Sequence, residues 1–396
     1  MSANVLVINS GSSSIKYQLV DATAGTALAG GSVERIGEVG SNVHHDFGGA
    51  RIEREVEVID HRGAMAVIVA LFDEVGPGLD HCEVVAVGHR VVMGGTEIDG
   101  PVLVDDALLA TVQRLSPLAP LHNPANLTTM QVAVELFPDL PHVAVFDTAF
   151  FHGLPAIAAT YALNRAVAER HGIRRYGFHG TSHQYVSEAA AKLLGRGGDE
   201  TLRQIVLHLG NGASASAVVG GRPVETSMGM TPLEGLVMGT RTGDIDPAVA
   251  FHLARAGAMS VDEIDRLFNQ ESGMVGLTGH KDMREVHRLA VADDEPARLA
   301  LEIYAHRLRK YIGAYAAVMG GLDALTFTAG VGENDATIRS MVAQGLGFLG
   351  ISVDPARNDP PRHGSRLISP DGSPVAVLVI PTNEELSIAR QVLSLL

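Results

Sequence analysis

Two arginines stand where glycine-rich chain meets the ends of regular segments. Arg90 closes an apolar strand within Gly88-His89-Arg90-Val91-Val92, and Arg241 lies in Gly239-Thr240-Arg241-Thr242-Gly243-Asp244-Ile245-Asp246, a loop of small residues ahead of a helix. A guanidinium so placed can grip a planar carboxylate or a phosphate through two parallel hydrogen bonds, although Arg241 could equally pair with Asp244 or Asp246. Three small-residue turns could cradle an anion: Gly11-Ser12-Ser13-Ser14 with Lys16 just beyond, Gly210-Asn211-Gly212, and Gly330-Val331-Gly332 after a buried strand. In each, successive backbone N–H and hydroxyl donors can converge on one point, though such turns also serve structure alone. Two acids complete the set. Asp147 ends the strand Val143 to Phe146 and Glu384 opens the last helix, places where a carboxylate can also merely cap.

Several chemistries are excluded. A Walker A loop needs a second glycine before its lysine and a helix after it, and Gly11 to Lys16 has neither. His179 and His183 lack the glutamate beside the first histidine, and the continuous helix, of a zinc protease; Gly180 follows His179 instead. A glycosidase would use two acids and leave the arginines and cradles without purpose. Forty-five acids against 30 bases give a net charge of −15, a surface that repels nucleic acid and anionic lipid, so neither is an expected partner. One cysteine, Cys82, and a start without a basic, apolar leader point to the cytoplasm. The uncharged run from Gln204 to Gly221 contains His208, Asn211 and a Gly-Asn-Gly break, and reads as a hairpin instead of a membrane span.

The elements that must position these residues alternate between strand and helix, an α/β pattern. Val5 to Ile8 and Ile15 to Val20 form one hairpin; Ile205 to Leu209 and Ala215 to Val219 form a second, half a chain later. Thr181 with Gln184 and Ser260 with Glu263 have capping-box spacing, Asp246-Pro247 offers an N-cap with proline at N1, and Gly195, Gly257 and Gly273 suit helix ends. Tyr304, Leu308, Tyr311, Tyr315 and Val318 predict the buried stripe of a helix from Pro296 to Met319. A strand from Leu325 to Ala329, a helix beginning near Glu333 and a last helix from Thr382 follow. Gly37 to Glu57 reads as an irregular surface excursion.

Taken together, the motifs resemble the acetate kinase family along nearly the whole chain. They are Asn9 to Lys16, Gly88 to Val92, Leu121-His122-Asn123-Pro124, Phe146-Asp147-Thr148-Ala149-Phe150, Gly177 to His183, His208 to Gly212, Thr226 to Pro247, Gly330 to Asn334 and Pro381 to Glu385. The resemblance implies a duplicated two-domain actin-like ATPase (ribonuclease-H-like) fold with an interdomain active-site cleft. The N-terminal domain would comprise 1–148 plus 384–396, with the first phosphate hairpin and acetate-binding residues. The C-terminal domain, 149–383, would carry the second hairpin, the adenosine loop and a dimer interface. It implies reversible transfer of the ATP γ-phosphoryl group to acetate, giving acetyl phosphate and ADP, with Mg²⁺ (Mn²⁺ able to substitute) and a homodimer.

By the same resemblance Asn9 and Glu384 would hold the metal. Arg90 would grip acetate, with Val92, Leu121, Phe178 and Pro232 around its methyl. His179 and Arg241 would stabilise the phosphoryl group, and Asp147 is the family's active-site acid. Lys16, His208, Leu209, Gly210, Asn211, Gly212, Asp282, Met283, Arg284, Gly330, Val331, Gly332, Glu333 and Asn334 would bind the nucleotide. Met93, where the family pattern has a histidine, and Phe151-His152, where its histidine is displaced, depart from the pattern.

Acetate is already ionised at neutral pH and needs no base, so the barrier lies in bringing an anion to a polyanion. Alignment and positive charge must supply the rate, and Asp147 is expected to position a cation. A propionate or butyrate kinase differs from this reading only in pocket size. A chaperone-like or filament-forming ATPase would share the fold but have no use for a carboxylate clamp at Arg90.

Overall fold

The computed structural model describes residues 3–359 and 364–396. The described residues up to His152, together with Asn383–Leu396, form one compact unit, and Gly153–Thr382 form a second.

The first unit is built on a sheet of β1 (Asn4–Ser10), β2 (Ser14–Asp21), β3 (Thr26–Glu34), β4 (Ser41–Phe47), β5 (Ala50–Val56), β6 (Val84–Val91), β7 (Val102–Leu103) and β8 (His142–Phe146), in the order β5-β4-β3-β2-β1-β6-β8-β7. Strand β1 is antiparallel to β2 and parallel to β6, β6 is parallel to β8, and β7 is antiparallel to β8. The second unit repeats this arrangement with β9 (Arg203–Leu209), β10 (Ala213–Val219), β11 (Arg222–Thr226), β12 (Ala324–Thr328), β13 (Arg366–Leu367) and β14 (Ala376–Val379), ordered β11-β10-β9-β12-β14-β13. There too the first hairpin is antiparallel, the next two pairings parallel and the last antiparallel. The duplicated α/β architecture is therefore present strand for strand, and the first unit adds the β4–β5 hairpin.

That hairpin overturns the irregular excursion expected at Gly37 to Glu57. Both strands are regular, but the buried positions of β4 are Ser41, Val43 and His45, and two polar residues among three hide the alternation. His45 is satisfied within the core, its Nδ1 at 2.7 Å from the Tyr17 hydroxyl and its Nε2 at 2.7 Å from the Gly76 carbonyl.

Several helix ends also shift. Thr181 does not cap: the helix runs Gly180–Leu193 from His179, which holds a left-handed backbone at φ +58°, and Thr181 is buried inside it. Ser260 and Glu263 form the expected capping box. Asp246 accepts from Ala248 N, but Pro247 takes the N-cap position of Ala248–Ala256. Gly273 starts the helix Gly273–Thr278 instead of ending the one before it. The long helix spans Glu295–Val318, with Tyr304, Leu308 and Tyr315 buried as expected, while Val318 at its end is 60% exposed. Gly330 to Gly332 lie inside a short helix, Ala329–Asn334, so Glu333 is near its end and not at a beginning. The last helix is Glu384–Leu395, capped by Asn383 in place of Thr382. It packs closely on β6 because Gly88 has no side chain: a Cβ there would lie 3.0 Å from both Ile388 and Val392. Among the described residues no helix is long and apolar enough to cross a membrane.

Candidate active site

In the first unit, parallel pairing brings the carboxyl ends of β1, β6 and β8 together, the place where α/β sheets present their ligand-binding groups. Asn9 is in register with Arg90, and Arg90 with Val145, two residues before Asp147. Arg90 Nε and Nη2 donate to the two oxygens of Asp147 at 2.8 and 2.7 Å, and Nη1 donates to Asn9 Oδ1 at 3.1 Å. Glu384 Oε2 is 3.7 Å from Arg90 Nε. Burial disfavours the Arg90 cation, but the charges of Asp147 and Glu384 and the Asp147 hydrogen bonds outweigh it and push its pKa up. The described bonds use three of the five N–H donors of a guanidinium, so Arg90 retains capacity for a second anion.

The chain beyond Arg90 is clasped by the helix Asn123–Leu136. Asn126 Oδ1 accepts from Val92 N at 3.2 Å, while its amide donates to Ser10 O at 2.7 Å. Asn123 binds the N–H and the carbonyl of Met93 at 3.1 and 3.0 Å. This double clasp is the structural use of the Leu121-His122-Asn123-Pro124 segment, and Met93 itself is wholly buried. Val92 is 7% exposed and Leu121 45%. Lys16 lies on β2, exposed, and Glu385 nearby has its pKa raised by burial and by Glu384.

In the second unit, His179 and Arg241 converge over Gly212. A Cβ on Gly212 would lie 3.3 Å from His179 Cε1, 3.4 Å from its Nε2 and 3.5 Å from Arg241 Nη1. His179 Nδ1 is 2.9 Å from Ser214 Oγ, and its ring stacks on His208 at 4.3 Å. The structure separates Arg241 from the acids it could have paired with: Asp244 binds Tyr311 and Gly235 N, and Asp246 caps Ala248. Arg241 donates instead to the Pro232 carbonyl at 3.1 Å, and among the described residues it makes no salt bridge. Burial pulls its pKa down, the signature of a partly buried cation that lacks a compensating charge. Phe178 is 1% exposed and Pro232 is intermediate.

A cavity of about 710 Å³ opens at the carboxyl ends of β9 and β12. Of the expected nucleotide residues, Gly210, Asn211, Asp282, Met283, Arg284, Gly330, Val331 and Asn334 line it. Leu209 is fully buried in the core, Gly332 packs on Phe327 and Leu207, and Glu333 accepts from Thr382 N at 3.1 Å. Those three are not in the lining, nor are His208, Gly212 and Lys16. The lining also includes Gly239, Met274, Lys281, His287, Tyr304 and Asp335 to Thr337, which sequence reasoning missed. Their one signal was the small-residue run around Gly239: a Cβ there would lie 2.2 Å from Asn211 Oδ1, so glycine is required for Asn211 to take its place.

With this geometry in place, the comparisons are concordant. A family model described as "Acetokinase family" matches residues 4–390. A relative from Leifsonia xyli subsp. xyli, named acetate kinase, is 58% identical over 389 residues, covering 98% of each chain. The crystal structure of Porphyromonas gingivalis acetate kinase superposes with a TM-score of 0.93 at 42% identity, covering 99% of each chain. That of a propionate kinase from Francisella tularensis gives 0.91 at 41% identity, covering 98% of each.

Proposed function

The chain belongs to the acetokinase family, and from that premise we propose that it moves a phosphoryl group between ATP and acetate, with roles for its residues that the geometry above supports. It is a kinase whose phosphoryl acceptor is a carboxylate. The observation that carries the residue assignment is Arg241, a partly buried guanidinium held by a carbonyl and by no acid among the described residues. Such a group is stabilised when an anion arrives, and more so as charge spreads over the oxygens of a phosphoryl group in transfer.

Arg241 and the His179 ring, both at Gly212, stabilise that group. Arg90 binds the acetate carboxylate with donors beyond those given to Asp147 and Asn9. Asp147 holds the guanidinium plane by two hydrogen bonds and so acts as a positioning acid; acetate gives it no proton to remove. Val92 and Leu121 of the first unit, and Phe178 and Pro232 of the second, are the apolar residues we assign to the methyl group of acetate. The cavity at Gly210, Asn211, Met283 and Gly330 takes the nucleotide; Lys16, on the first unit, is assigned to its phosphates by the family resemblance alone. His208, Leu209, Gly212, Gly332 and Glu333 support that site through backbone and packing.

Mg²⁺ fits the donors present. Asn9 Oδ1 and the carboxylates of Glu384 and Asp147 are all oxygen, the set a small hard cation takes together with nucleotide phosphates and water. Both Asp147 oxygens are taken by Arg90, whereas Asn9 Oδ1 accepts a single donor among the described residues and Glu384 stands 3.7 Å from Arg90, so Asn9 and Glu384 would hold the ion. When bound, it would neutralise charge on the phosphate oxygens.

We further place the chain in the cytoplasm as a homodimer. The helix Ala248–Ala256 buries none of its residues within the chain and leaves Phe251 58% exposed, a surface that a second copy would cover.

The test is to trap acyl phosphate with hydroxylamine while offering acetate, propionate and butyrate with ATP and Mg²⁺. Acetate should give the highest kcat/KM, with about 1 to 3 kcal/mol lost per added methylene. Absence of any trapped product would overturn the reading, and a preference for propionate would move the chain to that branch.

A further inference from the structure

Ser214 Oγ lies between two imidazoles, 2.9 Å from His179 Nδ1 and 2.7 Å from His183 Nε2. The other nitrogen of His183 is 2.7 Å from Ser216 Oγ. Ser214, Ser216 and His183 are all 0% exposed, so the row is sealed from bulk water up to His179, which is half-buried. Such a row has a direction. A neutral imidazole donates through one nitrogen and accepts at the other, and a hydroxyl carries a single proton. Burial, with His208 nearby, keeps His183 neutral.

We infer that Ser214 and His183 are positioning residues that fix His179 as the Nε2–H tautomer. The Ser216 hydroxyl donates to His183 Nδ1, His183 Nε2–H donates to Ser214, and the Ser214 hydroxyl donates to His179 Nδ1. This leaves the His179 proton on Nε2, the nitrogen facing Gly212 and Arg241. The inference rests on the proposed role of His179 as a donor to the phosphoryl group.

The reverse order is worse for that role. With His179 Nδ1–H donating to Ser214, a neutral ring would turn its Nε2 lone pair towards the incoming anion. Protonating the ring would repair this only by placing a second cation beside Arg241, whose Nη1 approaches the same point over Gly212. It would also put charge face to face with His208, stacked at 4.3 Å with planes 22° apart and itself anchored through Nδ1 to Ser182 Oγ at 2.8 Å. A neutral donor with a fixed tautomer avoids both costs, in the way that partners of metal-bound histidines set the ring's proton.

The test uses full-length protein with ¹⁵N-labelled histidine. Long-range ¹H–¹⁵N spectra, assigned with His179→Ala, should show His179 protonated at Nε2 and bare at Nδ1. In Ser214→Ala the same ring should become a mixture of tautomers. The kcat should fall about ten- to a hundredfold, with KM for acetate and ATP held within about threefold, as for lost orienting partners elsewhere. A wild-type spectrum with the proton on Nδ1 overturns the inference, as does full kcat in Ser214→Ala. Should Ser214→Ala fail to fold, the wild-type spectrum alone decides. If His179→Ala loses kcat while Ser214→Ala does not, only the inference falls; if His179→Ala keeps its kcat, the underlying reading of His179 falls and takes the inference with it.

Discussion

Replacing Arg241 with methionine separates a functional cation from a structural one. A structural arginine would be missed in folding. Arg241 makes a hydrogen bond to the Pro232 carbonyl at 3.1 Å and reaches Met238 Sδ at 3.7 Å, with no carboxylate in salt-bridge range among the described residues. Losing a hydrogen bond from a charged donor costs about 1.5 to 3 kcal/mol. Removing a partly buried, uncompensated charge returns a similar amount. The net change in stability should therefore stay within about 1 kcal/mol, read from urea midpoints at constant slope. The rate should behave otherwise. Losing a donor to the transferring group should raise the barrier by about 3 to 4 kcal/mol, two to three decades in kcat. A third reading tests the anion site directly. Sulfate at about ten times its dissociation constant should stabilise the native protein by about 1.4 kcal/mol and leave Arg241→Met unmoved. A variant that loses more than about 3 kcal/mol of stability, or keeps more than about a tenth of wild-type kcat, would refute this reasoning.

Arg90→Ala should raise the acetate KM by about ten- to a hundredfold while ATP binding, followed by fluorescence titration, is little changed. An unaltered acetate KM would remove Arg90 from the clamp. Gly239→Ala should raise the ATP KM because its methyl would collide with Asn211 Oδ1 at the cavity wall; steady-state kinetics at saturating acetate would reveal it. Acid should destabilise the fold. Burial, with His142 adding, lowers the His89 pKa to about 3, and His142 and His183 are shifted the same way. The unfolded chain therefore takes up protons first. Their stabilisation is complete above about pH 6.5 and is lost as pH falls towards the folded values, with about 2 kcal/mol from His89 gone by pH 5. Urea midpoints that match at pH 7.5 and 5 would contradict this. Phe251→Asp should convert a dimer to monomer by light scattering, and an unchanged mass would return Phe251 to the ordinary exposed surface.

The architecture was legible wherever local chemistry repeated itself. Gly11 to Ser14 and Gly210 to Gly212 announced two hairpins half a chain apart, and both sheets grew from them. The β4–β5 hairpin escaped notice because Ser41 and His45 occupy inward positions that a reader of apolar alternation expects to be greasy. His45 is tolerated there only through Tyr17 and Gly76, 28 and 31 positions away. The site followed the same division. Motifs named Arg90, Asp147 and Arg241 one by one. No spacing could state that Asp147 takes two donors of Arg90 across 57 residues, that Arg241 avoids Asp244, or that Ser214 joins His179 to His183. Those relations come from strand register and helix placement, which exist only after folding. Tyr304 reached the cavity wall unannounced, since it lies in a stripe that reads as the buried face of a long helix, and no motif marked His287.

Strand order also decides how the two sheets end. An open margin offers unpaired N–H and carbonyl groups to any stray extended peptide. At one margin, β5 presents Arg51, Glu53, Arg54 and Glu55, a palisade of alternating charge. Its counterpart, β11, has only five residues and includes Pro223, which cannot donate to a new neighbour. The opposite margins, β7 and β13, have two residues each, too short to template anything. Each described fringe of the two sheets is thus blunted by charge, by proline or by shortness, which leaves helix surfaces as the sociable ones and guards the chain against amyloid-like stacking.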